Sequence, residues 1–185
     1  MAALPPVPQP IALFPQFIAQ GPETIVLREK VMSLSGDSFE IKLASGSPIL
    51  QVEGNVMSIS GKKKVRDMQG NHLFTIAKEH FHLHATYVVK SSLKLMGSKA
   101  TATFQSHHGK QEKLVMNGNW FNTSADIVDE AMNDAVVARI NRKILSGKDL
   151  FFGQQTYGVQ VAPGVDLALI VALCICLDEK NNEGK

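Results

Sequence analysis

Residues 165–177 read VDLALIVALCICL. Folded as a helix, such a segment has no polar face, and a helix that is apolar all round has to be buried. The run holds 13 residues and includes Asp166, short of the roughly 20 apolar residues needed to cross a bilayer. Pro163-Gly164 precedes it and Asp178-Glu179 comes after it. The expectation is a helix sunk in the core of a soluble domain, about residues 164–177, with the rest of the chain wrapped round it. Cys174 and Cys176 lie inside this run. On a helix they point roughly 200° apart and cannot bridge each other. The LCICL context reads as buried, reduced thiols rather than an exposed nucleophile.

The chain has 185 residues, enough for one domain with a sizeable core. Its formal net charge of +2 gives no sign of the clustered basic surface that nucleic-acid binding requires. No Lys or Arg precedes Arg28, so the opening residues resemble neither a secretory signal nor a transit peptide. Pro5, Pro6, Pro8 and Pro10 rule out a helix there. Residues 1–22 are expected to form a largely irregular, disordered arm, and residues 180–185 a frayed polar tail.

The wrapping segment repeats itself. Residues 31–36 read VMSLSG and residues 56–61 read VMSISG, 25 positions apart. The residues after each copy also correspond once Gly46 is set opposite Gly70. Phe39–Leu43 alternates apolar and polar, Ala44–Ser47 supplies a tight turn, and Pro48–Val52 returns. In the second copy Lys64–Arg66 leads into the turn Asp67–Asn71, and Leu73–Ile76 leaves it. Each unit therefore predicts strand, turn, strand. Further strands are expected at Phe81–Tyr87, Ala102–Gln105 before a Ser-His-His-Gly turn, Met116–Trp120 and Val136–Ile140. Many short strands at near-regular spacing point to an all-β sandwich or barrel. Residues 126–140 are ambiguous. Apolar side chains at 128, 132, 136 and 140 have helical spacing, whereas an Asp/Asn turn between two strands is the rival reading.

Taken together, VMSLSGDSFEIKLASGSPILQVEG, the later GQQTYGVQVAPGVDLALIVALCICLDE and the repeated strand–turn–strand plan resemble the LURP-one-related proteins. The similarity runs from about Glu29 to Glu179. That family resembles the tubby C-terminal domain and the phospholipid scramblases in fold. The resemblance implies a mainly β domain over residues 23–179, a closed antiparallel β-barrel of about twelve strands around the buried C-terminal helix. It tips residues 126–140 towards a hairpin turning near Asn133-Asp134. In the family pattern a Gly-x-Trp occurs where this chain has Gly118-Asn119-Trp120, read here as barrel-wall packing.

Two groups of residues are candidates for chemistry. On a strand, Lys62, Lys64 and Arg66 share one face while Val65 points the other way. Three cations on an outward face suit a phosphorylated lipid headgroup, and the tubby resemblance implies phosphoinositides. The bland reading is a solvated surface strand. His80, His82 and His84 would line up about 7 Å apart on one strand face. His-x-His serves metal sites, yet no carboxylate comes closely after it, so a surface histidine row is the competing reading. His107 and His108 read as turn residues. Asp126, Asp129, Glu130 and Asp134 do not form a spaced calcium loop. No nucleophile elbow, phosphate loop, zincin motif or dinucleotide fingerprint occurs. The expectation is a non-enzymatic binding or adaptor module without a cofactor, cytoplasmic or peripheral at membranes. Its partners would be anionic phospholipid headgroups or a protein. The alternatives are a metal-dependent enzyme built on the histidine strand and a protein-interaction scaffold without lipid affinity.

Overall fold

A computed structural model describes residues 2–30, 38–54, 62–79, 86–90, 93–96, 101–119, 124–141 and 156–182. Both copies of the hexapeptide, the histidine row at 80–84, and Trp120 lie outside them. The described strands are β1 (Glu23–Lys30), β2 (Ser38–Leu43), β3 (Pro48–Gly54), β4 (Lys63–Arg66), β5 (His72–Glu79) and β6 (Thr86–Lys90). They continue as β7 (Leu93–Met96), β8 (Thr101–Gln105), β9 (Gln111–Asn119), β10 (Ser124–Asp129), β11 (Ala135–Asn141) and β12 (Thr156–Val161). A single helix, α1 (Leu167–Asn182), ends the described chain. Every strand pairs antiparallel with its neighbours in sequence, and β1 pairs with both β2 and β12, so the sheet closes on itself.

The alternation read in the sequence decides which side chains face inward. Ile25 and Leu27 of β1, Phe39 and Ile41 of β2, Leu50 and Val52 of β3, and Phe74 and Ile76 of β5 are all buried. They enclose α1, whose residues from Leu167 to Leu177 are buried on every side. The helix begins later and runs further than the expected 164–177, reaching Asn182 and taking in part of the tail.

The described parts of the two repeated units, strand, turn and strand, fold alike. In the first, Leu43 N–H donates to the Ser47 carbonyl at 2.9 Å and Gly46 N–H to Leu43 at 2.8 Å. In the second, Asp67 N–H donates to Asn71 at 3.0 Å and Gly70 N–H to Asp67 at 3.1 Å. Gly46 and Gly70 both take positive φ, 93° and 86°, which a glycine adopts without steric cost. A third copy of this turn joins β8 to β9, with Ser106 bonded to Lys110 and Gly109 at φ 81°. Residues 126–140 form a hairpin. A short 3-10 turn at Glu130–Met132 leads into Asn133 and Asp134, both left-handed.

The N-terminal arm departs from expectation. It holds little regular structure, yet it is packed rather than loose. Leu4, Ile11, Ala12, Phe14 and Ala19 are buried. The arm crosses the end of the barrel at which α1 begins. Ile11 bridges Val165 and Ile18 bridges Asp166, Val7 N–H donates to Pro163 at 3.0 Å, and His107 N–H donates to Ala12 at 2.9 Å. A Cβ on Gly164 would lie 2.6 Å from Val7 Cγ2, so only glycine fits beneath the arm.

One carboxylate joins arm and helix. Asp166 Oδ1 accepts from Ala168 and Leu169 N–H at 2.8 and 3.1 Å, capping α1. Its Oδ2 accepts from Leu13 and Phe14 N–H at 3.0 and 2.7 Å. Burial pushes this carboxyl up to about 6, against the downward pull of the four N–H donors.

The packing generates two predictions. Ala172 is fully buried mid-helix, and Ala172→Asp should leave no cooperative thermal transition, because an unpaired buried charge costs at least several kcal/mol, about 3–5. A variant that melts like the parent would contradict an enclosed helix. The second concerns Asp166, raised in the folded chain from 3.8 to about 6. A raised carboxyl pKa contributes stability below the unfolded value, and this is lost as pH rises through the folded one. Relative to the non-titrating Asp166→Asn, the parent should therefore gain on the order of 1–3 kcal/mol between pH 7 and pH 4. Urea melts at the two pH values would measure it.

Candidate functional site

Because α1 fills the interior, polar groups able to meet a partner lie on the outer wall and at the ends. On β4, Lys63 and Val65 turn inward and are buried, while Lys62 and Lys64 are exposed and Arg66 is half-buried on the outside. The period-2 pleat thus places Lys62, Lys64 and Arg66 on one face, as the sequence indicated. Lys64 stands opposite Glu53 on β3 and Thr75 on β5. Lys64 makes no ion pair among the described residues, whereas Arg66 Nε approaches Glu53 at 3.7 Å and its Nη1 donates to the Gly70 carbonyl at 3.1 Å. Lys63 lies inside with its ammonium 5.3 Å from the centre of the Phe39 ring.

The cationic face continues across β1 and β2. Arg28 and Lys42 both approach Glu40, at 4.0 and 2.5 Å. Among the described side chains, five cations (Arg28, Lys42, Lys62, Lys64, Arg66) face outward on β1–β4 and its lead-in against two carboxylates, Glu40 and Glu53. A shallow groove of about 340 Å³ over β2 and β3 is bordered by Lys42, Gln51, Glu53 and Met68. Met68, on the turn after β4, is the one large hydrophobic side chain exposed among the described residues.

The other candidates resolve into structural roles where they are described. Asp126 forms a two-pronged pair with Arg139 at 2.7 and 2.9 Å. Asp129 accepts from Ala131 N–H, and Glu130 pairs with Lys113 at 2.6 Å. No group of three metal-ligating side chains occurs among the described residues. Tyr157 donates to Asp178 at 2.5 Å within the interior. Cys174 is fully buried, and burial first, then the nearby Asp178 and Cys176, pushes its thiol well above the ordinary value. No helix among the described residues is long and apolar enough to cross a membrane.

One polar constellation is not among the candidates read from the sequence. Glu112 faces inward on β9, with Lys110 Nζ 3.0 Å from its carboxylate. Alternation could have marked it, since Leu114 and Glu112 share a face, but a charged residue reads as outward by default.

A closed antiparallel sheet round an apolar helix, with most of its charge on the outside and a few buried charged side chains, defines the class: a helix-centred β-barrel. The chain belongs to the LURP-one-related family, whose family model matches residues 23–178. It is 26% identical to Protein LURP-one-related 10 of Arabidopsis thaliana, over 91% of this chain and 95% of that protein. It is 27% identical to Protein LURP-one-related 15 of the same plant, over 97% and 91% respectively. An X-ray structure of an Arabidopsis thaliana protein shares the fold, with a TM-score of 0.61 at 19% identity, covering 92% of this chain and 98% of that one.

The burial of the thiols generates a prediction. Cys174 and Cys176 should fail to react with an aromatic disulfide reagent in the native chain and should react fully in denaturant. Stoichiometric reaction without denaturant would mean that the core is open.

Proposed function

We propose that this protein is a non-enzymatic binding module that engages anionic phospholipid headgroups through the outer face of β4. The carrying observation is the placement of Lys62, Lys64 and Arg66 on one outward face, while the inward face of the same strand packs in the core. Arg28 and Lys42 extend that surface, and a phosphorylated headgroup gains from several cations at once. Met68 adds an exposed apolar tip beside the same face, which suits a surface where charge meets acyl chain. The filled interior favours recognition on the outside over chemistry in an enclosed pocket.

Co-sedimentation with liposomes, with and without phosphoinositides, tests the reading. Each cation near an anionic surface contributes about 1 kcal/mol. Lys62→Glu/Lys64→Glu/Arg66→Glu should therefore weaken binding by about 100-fold or more, and raising the salt severalfold should release the parent. Lys113→Glu, on β9, should bind as the parent does. Absence of binding to every liposome would leave a protein partner as the occupant of this wall.

A further inference from the structure

We propose that the cavity between the N-terminal arm and the β8–β9 hairpin binds a small zwitterion of the α-amino acid type, held by Glu112 and Lys110. The alternation of β9 puts Glu112 on the core side, where its side chain is 2% exposed. Its partner across the ladder is the fully buried Phe104, and its next same-face neighbour is Leu114. A carboxylate thus occupies a position the barrel fills with apolar groups elsewhere on this hairpin. Stability gives little reason for it, because an ion pair with one well-exposed partner contributes little.

The surroundings suit a ligand. A cavity of about 280 Å³ is lined by Gln9, Pro10, Ser106, His108, Lys110 and Glu112. That lies just below the ~300–1,000 Å³ of drug-sized pockets and fits one small molecule. Lys110 Nζ and Glu112 Oε2 are 3.0 Å apart, so opposite charges sit side by side at its wall. Ordinary bond lengths put an α-ammonium and its own carboxylate oxygens about 3 Å apart as well. A bound amino acid would give its ammonium to Glu112 and its carboxylate to the displaced Lys110, exchanging one ion pair for two. Lys110 is free to move this far, since its side chain is 42% exposed while Glu112 is fixed. The Ser106 hydroxyl donates to the Lys110 carbonyl at 3.2 Å and holds the turn in place. Pro10, brought over by the bonds of the arm to Pro163 and Gly164, supplies an apolar wall that favours an uncharged side chain.

The test uses the whole chain and the standard free amino acids, one at a time, at about 10 mM, read by thermal shift and then by titration calorimetry. At least one uncharged amino acid should raise Tm and bind at one site per chain. Its decarboxylated amine and its deaminated acid should not bind. Glu112→Gln and Lys110→Met should each weaken binding at least about tenfold; Lys110→Met, at the exposed partner, keeps the test decisive should the Gln variant fail to fold. Lys62→Glu/Lys64→Glu/Arg66→Glu should bind the amino acid as the parent does, whatever its behaviour on liposomes. The proposal falls if none of the amino acids shifts Tm or gives heat, or if Lys110→Met binds one as tightly as the parent.

Discussion

A helix with no polar face cannot stand in water, and the rest of this structure comes from enclosing one. Residues 167–177 of α1 are buried on all sides. A single sheet laid against the helix would cover one side only. A sheet returning to its first strand covers every side and removes the unpaired strand edges that invite aggregation. The enclosure then sets the wall's composition. Inward positions carry mostly Ile, Leu, Phe and Val, with Lys63 and Glu112 as charged exceptions, and most of the remaining charge of the described strands faces outward.

Enclosure leaves the start of the helix to be satisfied, because its first N–H groups have no partner within the helix. Asp166 answers that need for two of them and holds two N–H groups of the arm with the same carboxylate. The arm is therefore part of the fold, acting as a strap across the barrel end. The family match begins at Glu23, where β1 begins. The strap's contacts to Asp166 come from outside that span.

What was legible in the sequence and what was not divides along physical lines. The helix was legible from its unbroken apolar run, and the hairpins from period-2 alternation with Gly46 and Gly70 at equivalent positions. The outward face of Lys62, Lys64 and Arg66 was readable for the same reason. Residues 126–140 carried helical spacing and fold as a hairpin, because pairing with β9 and β12 overrides local propensity. The arm misled because four prolines in ten residues signal irregular backbone, and irregular backbone need not be loose. Val7, Ile11 and Phe14 are anchored by partners some 150 residues away, and no local pattern encodes such contacts. Glu112 was hidden for a different reason: alternation with Leu114 pointed it inward, but a charged side chain reads as outward until strand register and burial show otherwise.

These constraints separate two kinds of surface. The outer wall of β4 is assembled from one short strand and its neighbours, so its charge can change without disturbing the core. The cavity at Glu112 is assembled from β9, a turn and the arm, and the arm is held there by backbone bonds to Pro163, Gly164 and His107 as well as by the Asp166 carboxylate. Loss of the carboxylate would remove the cap of α1 and the bonds to Leu13 and Phe14 together. Helix cap and arm share backbone hydrogen bonds to one carboxylate, so the two ends of the chain meet at a single buried side chain.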